Sequence, residues 1–203
     1  ISKNENNNCL HGGKIGFNKK IWKIDSHSKK SIIYKIISKN LDQGFPGNLN
    51  LSCKYELKNK TLSIFYNFFS DKITHVNITN HCYWNLNKNK KKNIFNHDLK
   101  IISDYYLPVN KFNIPTGKKN NVEKSYFNFN RFSNIGKKLL LKKNGFDINY
   151  ITKKRKDNLT AILANKNSGI SLGFYSNQPG LQFYTGQKLK FKNLLYPYQG
   201  LCL

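Results

Sequence analysis

Leu51, Cys53, Tyr55 and Leu57 alternate with Ser52, Lys54, Glu56 and Lys58, so apolar and polar side chains fall on opposite faces of an extended chain. That period of two excludes a helix across this stretch. Residues 32–37, 62–69, 73–78, 99–102, 159–163 and 170–175 add short apolar or alternating runs of strand length. Clusters of Asn, Gly, Asp and Lys punctuate them at residues 58–60, 87–93, 117–121 and 165–169, where turn chemistry is expected. Many short strands joined by polar turns predict an all-β fold, an antiparallel β-sandwich, in preference to a βαβ arrangement. Only residues 133–141 carry enough apolar content without alternation to predict a short helix. The lysine-rich residues 88–92 read as a solvated hairpin tip.

With 203 residues the chain can hide roughly 70% of its unfolded surface in one domain, so its core needs no disulfide or metal staple. Residues 1–203 are read as that single domain. Cys9, Cys53, Cys82 and Cys202 are too scattered for a paired zinc spacing or a small secreted scaffold, and reduced cytoplasmic thiols are the expectation. No metal and no cofactor is implied. No apolar run approaches the roughly 18 residues of a membrane span, so a membrane partner is not expected. The chain starts at Ile1, contains no Met and ends in an apolar run, which reads as incompleteness at both termini. The net charge of +25 is nearly all lysine, and it accompanies abundant Asn, Ile, Phe and Tyr. Clustered lysines bind polyanions by releasing counterions, but A/T-rich codons supply this same set of residues. Nucleic acid is therefore not the expected partner.

Five blocks stand out in order along the chain: Leu10-His11-Gly12-Gly13; Asp42-Gln43-Gly44-Phe45-Pro46-Gly47-Asn48-Leu49; Asn77-Ile78-Thr79-Asn80-His81-Cys82-Tyr83-Trp84-Asn85-Leu86; Phe146-Asp147; and Pro179-Gly180-Leu181-Gln182-Phe183-Tyr184-Thr185-Gly186. Together they resemble the aldose 1-epimerase (galactose mutarotase) family, the second block looking most like its bacterial branch. The resemblance implies a large β-sandwich with a sugar cleft on one open face. It also implies an enzyme that interconverts the α and β anomers of free hexoses such as galactose and glucose; a monomer is expected.

Ring opening requires a proton on the ring oxygen and loss of one from the anomeric hydroxyl. Histidine suits the acid role because its ordinary pKa of about 6.5 leaves it partly protonated near neutrality. By resemblance His81 is that acid. Tyr83 shares its face if the run is a regular strand. His11, Asp147 and Gln182 correspond to residues that contact sugar hydroxyls. Asp42 and Phe45 belong to a specific block whose loop serves either contact or shape. The chain departs from the family at Ile148, where many relatives carry His, and at Gln187, where Asn is common. The family's base is a glutamate following the string that appears here as Gly200-Leu201-Cys202-Leu203, so it is expected directly after Leu203. An Asn-Arg pair is likewise expected upstream of His11. Three alternatives stay open at this point: a sugar-binding remnant without turnover, a polyanion-binding β-protein, and a mutarotase of hexose 6-phosphates.

Overall fold

The computed structural model describes residues 1–192 and 194–203. It forms two compact units, Ile1–Thr79 and Asn80–Leu203.

The first unit is built on one antiparallel meander in the order β1 (Lys23–His27), β2 (Ser31–Ser38), β3 (Leu49–Lys58) and β4 (Thr61–Ser70). The hairpin between β3 and β4 turns at Asn59 and Lys60, both with positive φ of 48° and 62°. Two left-handed residues in a two-residue loop match the right-handed twist of the flanking strands. The alternation read from the sequence decides burial on β3, where Leu49, Leu51 and Cys53 are buried. Leu57 lies near the hairpin end and is exposed. Residues 73–78 differ from expectation: they form no strand, although half-buried and exposed positions still alternate along them. An extended chain keeps its side-chain period of two whether or not a neighbour supplies a ladder.

The second unit holds two four-stranded antiparallel sheets. One runs β11 (Ile170–Tyr175), β10 (Leu159–Asn165), β5 (Asp98–Ile101), β8 (Ser133–Asn134). The other runs β12 (Gly180–Tyr184), β9 (Asp147–Ile151), β6 (Tyr105–Leu107), β7 (Asn120–Asn121). Alternate residues of both enter one core: Leu99 and Ile101, Ala161 and Leu163, Ile148 and Tyr150, Leu181 and Phe183. Phe146 stacks on Phe183 at 5.2 Å between ring centroids, and Phe129 meets each edge-on at 5.4 Å. Burying one such ring contributes roughly 1.5–3 kcal/mol, so this aromatic cluster is a major part of the core of the second unit. The predicted helix appears as α1 (Ile135–Leu141), preceded by the two residues of β8. Its N-cap is Asn134, whose side chain accepts the Lys137 N–H. The fold is therefore mostly β with antiparallel sheets, as the alternating runs predict. The tip at residues 88–92 is an exposed turn.

Candidate functional site

The site of the second unit is set by strand register. On β9 and β12, Ile148, Tyr150, Leu181 and Phe183 face the core, which turns Asp147, Asn149, Gln182 and Tyr184 to the opposite face. Tyr184 pairs with Asp147, and Gln182 with Asn149. Asn149 Nδ2 donates to Gln182 Oε1 at 3.2 Å, and Gln182 Nε2 donates to Asp147 Oδ1 at 2.8 Å. The amide of Gln182 is thus oriented, and both Asp147 and Gln182 remain exposed at the surface. An exposed carboxylate fixed by a neighbouring amide is suited to accepting hydrogen bonds from sugar hydroxyls.

A buried clamp holds this corner in place. Phe146 N–H donates to Thr185 Oγ1 at 2.8 Å, Thr185 N–H donates to Phe146 O at 3.0 Å, and Thr185 Oγ1–H donates to Gln187 Oε1 at 2.7 Å. Gln187 therefore braces the turn that carries Asp147. Ile148 points into the core and so does not line this face.

The sheet continues beyond β12 through the last residues of the chain. Tyr184 and Cys202 exchange both backbone bonds, at 3.1 and 2.8 Å, and Trp84 and Leu201 do the same at 2.7 and 3.0 Å. Antiparallel pairing then brings Tyr83 opposite Cys202. The resulting row on one face is Asp147, Tyr184, Cys202, Tyr83, with His81 two residues along from Tyr83. Contacts agree with the register. His81 stacks on Tyr83 at 5.1 Å and 30°, Tyr83 meets Tyr184 edge-on at 6.3 Å, and Cys202 Sγ lies 3.3 Å from His81 Nδ1. Gly200 belongs to the same face, where a Cβ would come within 2.9 Å of Tyr83 Cβ. In the run around His81 only Trp84 forms a β-bridge among the described residues.

Burial governs the electrostatics of the row. It pushes the Tyr83 hydroxyl up to about 12, with Cys202, Tyr184 and Asp147 adding to the shift. The Cys202 thiol is likewise pushed up to about 12 by burial, then by Cys82 and Asp147. Burial also raises Tyr184. All three are neutral at physiological pH, so they act as hydrogen-bonding groups.

His11 lies in the first unit, on a loop with its own supports. Asn4 Oδ1 accepts the Leu10 N–H at 2.7 Å, and Asn4 Nδ2 donates to Leu10 O and Gly13 O at 3.0 and 3.1 Å. Gly13 has φ +97° and sits so close to Gln43 that a Cβ would lie 2.8 Å from Oε1. Gln43 Oε1 also accepts the Ile15 N–H at 3.2 Å. The block from Asp42 to Leu49 therefore shapes the His11 loop. Asp42 itself is engaged by Lys20 Nζ and by Ser38 Oγ–H.

Of the residues singled out in the sequence, the second unit brings together His81, Tyr83, Asp147 and Gln182. Tyr184, Cys202 and Asn149 were not anticipated. Tyr184 was accessible by parity, two residues beyond Gln182 on one strand. Cys202 had no sequence signal, because its contact is with a residue 121 positions away. Another histidine, His97, is fully buried: Nδ1 contacts Ile94 O at 3.1 Å and Nε2 accepts the Leu86 N–H at 2.8 Å, an arrangement that serves structure.

The family model for aldose 1-epimerase matches residues 1–203. Galactose mutarotase of Homo sapiens is 37% identical over 208 residues, covering 98% of this chain and 60% of the relative. Aldose 1-epimerase of Escherichia coli K12 is 33% identical over 197 residues, covering 93% of this chain and 57% of the relative. The chain thus spans about three fifths of the length of these curated relatives. Among solved structures, galactose 1-epimerase from Lactobacillus acidophilus matches 98% of this chain and 61% of its own, with a TM-score of 0.84 at 27% identity. A GalM/aldose epimerase homologue from C. elegans matches all of this chain and 64% of its own with a TM-score of 0.91, which at 22% identity speaks for the fold. The antiparallel sheets, the ordered blocks and these likenesses agree: the chain belongs to the aldose 1-epimerase family.

Proposed function

We propose that the protein containing these residues is a mutarotase that interconverts the α and β anomers of free hexoses, galactose and glucose among them. The observation that carries this reading is the one face on which His81, Tyr83, Cys202, Tyr184, Asp147 and Gln182 gather, in a chain of this family. Asp147 and Gln182 accept and donate hydrogen bonds to sugar hydroxyls, and Tyr83 supplies an aromatic wall. His81 as imidazolium gives its proton to the ring oxygen as the bond to the anomeric carbon breaks, and recovers it when the ring closes on either face.

The base in this reading is the glutamate that family resemblance places after Leu203. In this reading the antiparallel pairing seen at Trp84 and Leu201 continues outward, which would bring that glutamate opposite His81. Directly opposed residues have Cβ atoms about 4.5–5.5 Å apart, so acid and base would flank one anomeric centre. His11 is proposed as a further hydroxyl contact.

The test is polarimetry on freshly dissolved α-D-galactose with the full-length protein. Loss of a general acid typically costs about 100- to 10,000-fold, so His81→Ala should lower the catalysed rate by at least about 100-fold. An unchanged rate would remove His81 from the mechanism.

A further inference from the structure

Asn149 begins a string of side chains that ends on the Asp147 carboxylate, and chemistry fixes the order of donors along it. A carboxylate only accepts hydrogen bonds, so the Gln182 atom 2.8 Å from Asp147 Oδ1 must be Nε2. The other end of that amide, Oε1, then needs a donor, and Asn149 Nδ2 supplies it at 3.2 Å. Reversing either amide would set two oxygens against each other. We infer that Asn149 is a positioning residue: it holds the Gln182 amide in the one orientation that turns its NH2 group to Asp147, and so sets the edge that this pair offers to sugar hydroxyls. The inference rests on the mutarotase reading for its meaning in catalysis.

Two features of the backbone support it independently of that reading. The first is register. Asn149 and Gln182 are directly opposed across β9 and β12, where Cβ atoms lie about 4.5–5.5 Å apart, and Asp147 is the diagonal neighbour that a side chain as long as glutamine can reach. The second is Gly180, two residues before Gln182 on the same face of β12. A Cβ at residue 180 would lie 2.7 Å from Asn149 Oδ1 and 3.2 Å from Nδ2. The bare backbone there leaves the space that the Asn149 amide fills, so this amide is packed between Gly180 and Gln182.

The orientation matters for recognition. With one N–H of Gln182 bonded to Asp147, the second N–H of the same nitrogen stands close to the carboxylate, a donor beside an acceptor. A sugar hydroxyl both donates and accepts, so vicinal hydroxyls match that edge. The reversed amide would present only oxygens next to the carboxylate. Scaffolding is left to other residues: Ile148 and Tyr150, on either side of Asn149, are buried in the core and hold β9 whatever residue stands at 149.

The experiment reads the Gln182 amide directly in the full-length protein. Its NH2 signals in a proton–nitrogen correlation spectrum are assigned by their loss in Gln182→Ala, and one proton should be shifted downfield by the bond to Asp147. Asn149→Ala should move both signals toward those of a solvated glutamine. It should also raise KM for galactose about two- to ten-fold, the range expected from one hydrogen bond between neutral groups, with kcat little changed. Asn149→Asp keeps the shape but sets an acceptor against Oε1, and should disturb the signals and KM at least as much, which keeps the test valid if the alanine variant folds poorly. Gly180→Ala should act in the same direction by displacing the Asn149 amide. Thr152→Ala removes the 2.7 Å bond from Thr152 Oγ1–H to Gln178 O, near the other end of the same strand pair, and controls for destabilisation alone: the Gln182 signals and KM should stay as in wild type. Unchanged Gln182 signals in both Asn149 variants, or an equal disturbance in Thr152→Ala, overturn the inference. Altered signals with an unchanged KM in an active enzyme overturn its link to sugar binding. Absence of mutarotation in wild type would instead overturn the functional reading, while the amide signals still decide whether Asn149 orients Gln182.

Discussion

Replacing His97 with glutamine should remove a pH dependence of stability that the wild-type fold carries below neutrality. His97 is fully buried, its Nε2 accepts the Leu86 N–H at 2.8 Å, and its Nδ1 is 3.1 Å from Ile94 O. Only the neutral ring fits, as Nδ1–H donor and Nε2 acceptor; protonation would set an N–H of the ring against the N–H of Leu86. Burial accordingly lowers the pKa of His97, with Lys90 adding to the shift and the Ile94 and Asp98 contacts opposing it. A depressed folded-state pKa means that the unfolded chain binds the proton first. The stabilisation is therefore complete above the unfolded value of about 6.5 and is lost as pH falls from there toward the folded-state pKa. For one proton the slope cannot exceed about 1.4 kcal/mol per pH unit. Glutamine keeps one donor and one acceptor without the charge, at a cost of about 1–3 kcal/mol at pH 7.5 if one buried group is left unpaired. Urea unfolding between pH 7.5 and 5, followed through Trp84 beside Phe174, measures both quantities. The wild-type curve should fall toward low pH and the His97→Gln curve should fall less. Parallel curves, or a wild type that gains stability on acidification, would refute the argument.

Gly200→Ala places a methyl group 2.9 Å from Tyr83 Cβ, too close for either backbone to absorb without moving. It should destabilise by about 1–3 kcal/mol and reduce turnover by displacing Tyr83 and His81, which thermal unfolding and polarimetry would detect together. Asp147→Asn replaces the exposed carboxylate that accepts the Gln182 amide at 2.8 Å with an amide of the same shape. The fold should survive, and KM for galactose should rise about ten-fold, the loss of one charge-assisted hydrogen bond; an unaltered KM would take Asp147 out of the sugar contact.

What the sequence made legible follows from where each signal resides. Alternation on β3 and β10 is a local property, and the structure buries Leu49, Leu51, Cys53, Ala161 and Leu163 accordingly. The same local signal at residues 73–78 predicted a strand that does not form, because a ladder needs another segment to pair with. The two-residue strands β7 and β8 are too short to show a period at all. Within the candidate site, the proximity of Asp147 and Gln182 comes from the register of β9 against β12, which brings their side chains together from 35 positions apart. Stacking of His81 on Tyr83 was foreseeable from their spacing. Cys202 and His97 illustrate the limit: their contacts are with a ring and a backbone N–H elsewhere in the fold.

Anomer exchange observed at equilibrium tests the central claim most directly. In two-dimensional exchange NMR of galactose, full-length protein should generate cross-peaks between the α and β anomeric protons at a mixing time where buffer alone gives none. His81→Ala at the same concentration, shown to be folded by its amide spectrum, should abolish them. Cross-peaks of equal intensity with the two proteins, or none with wild type, would contradict the account.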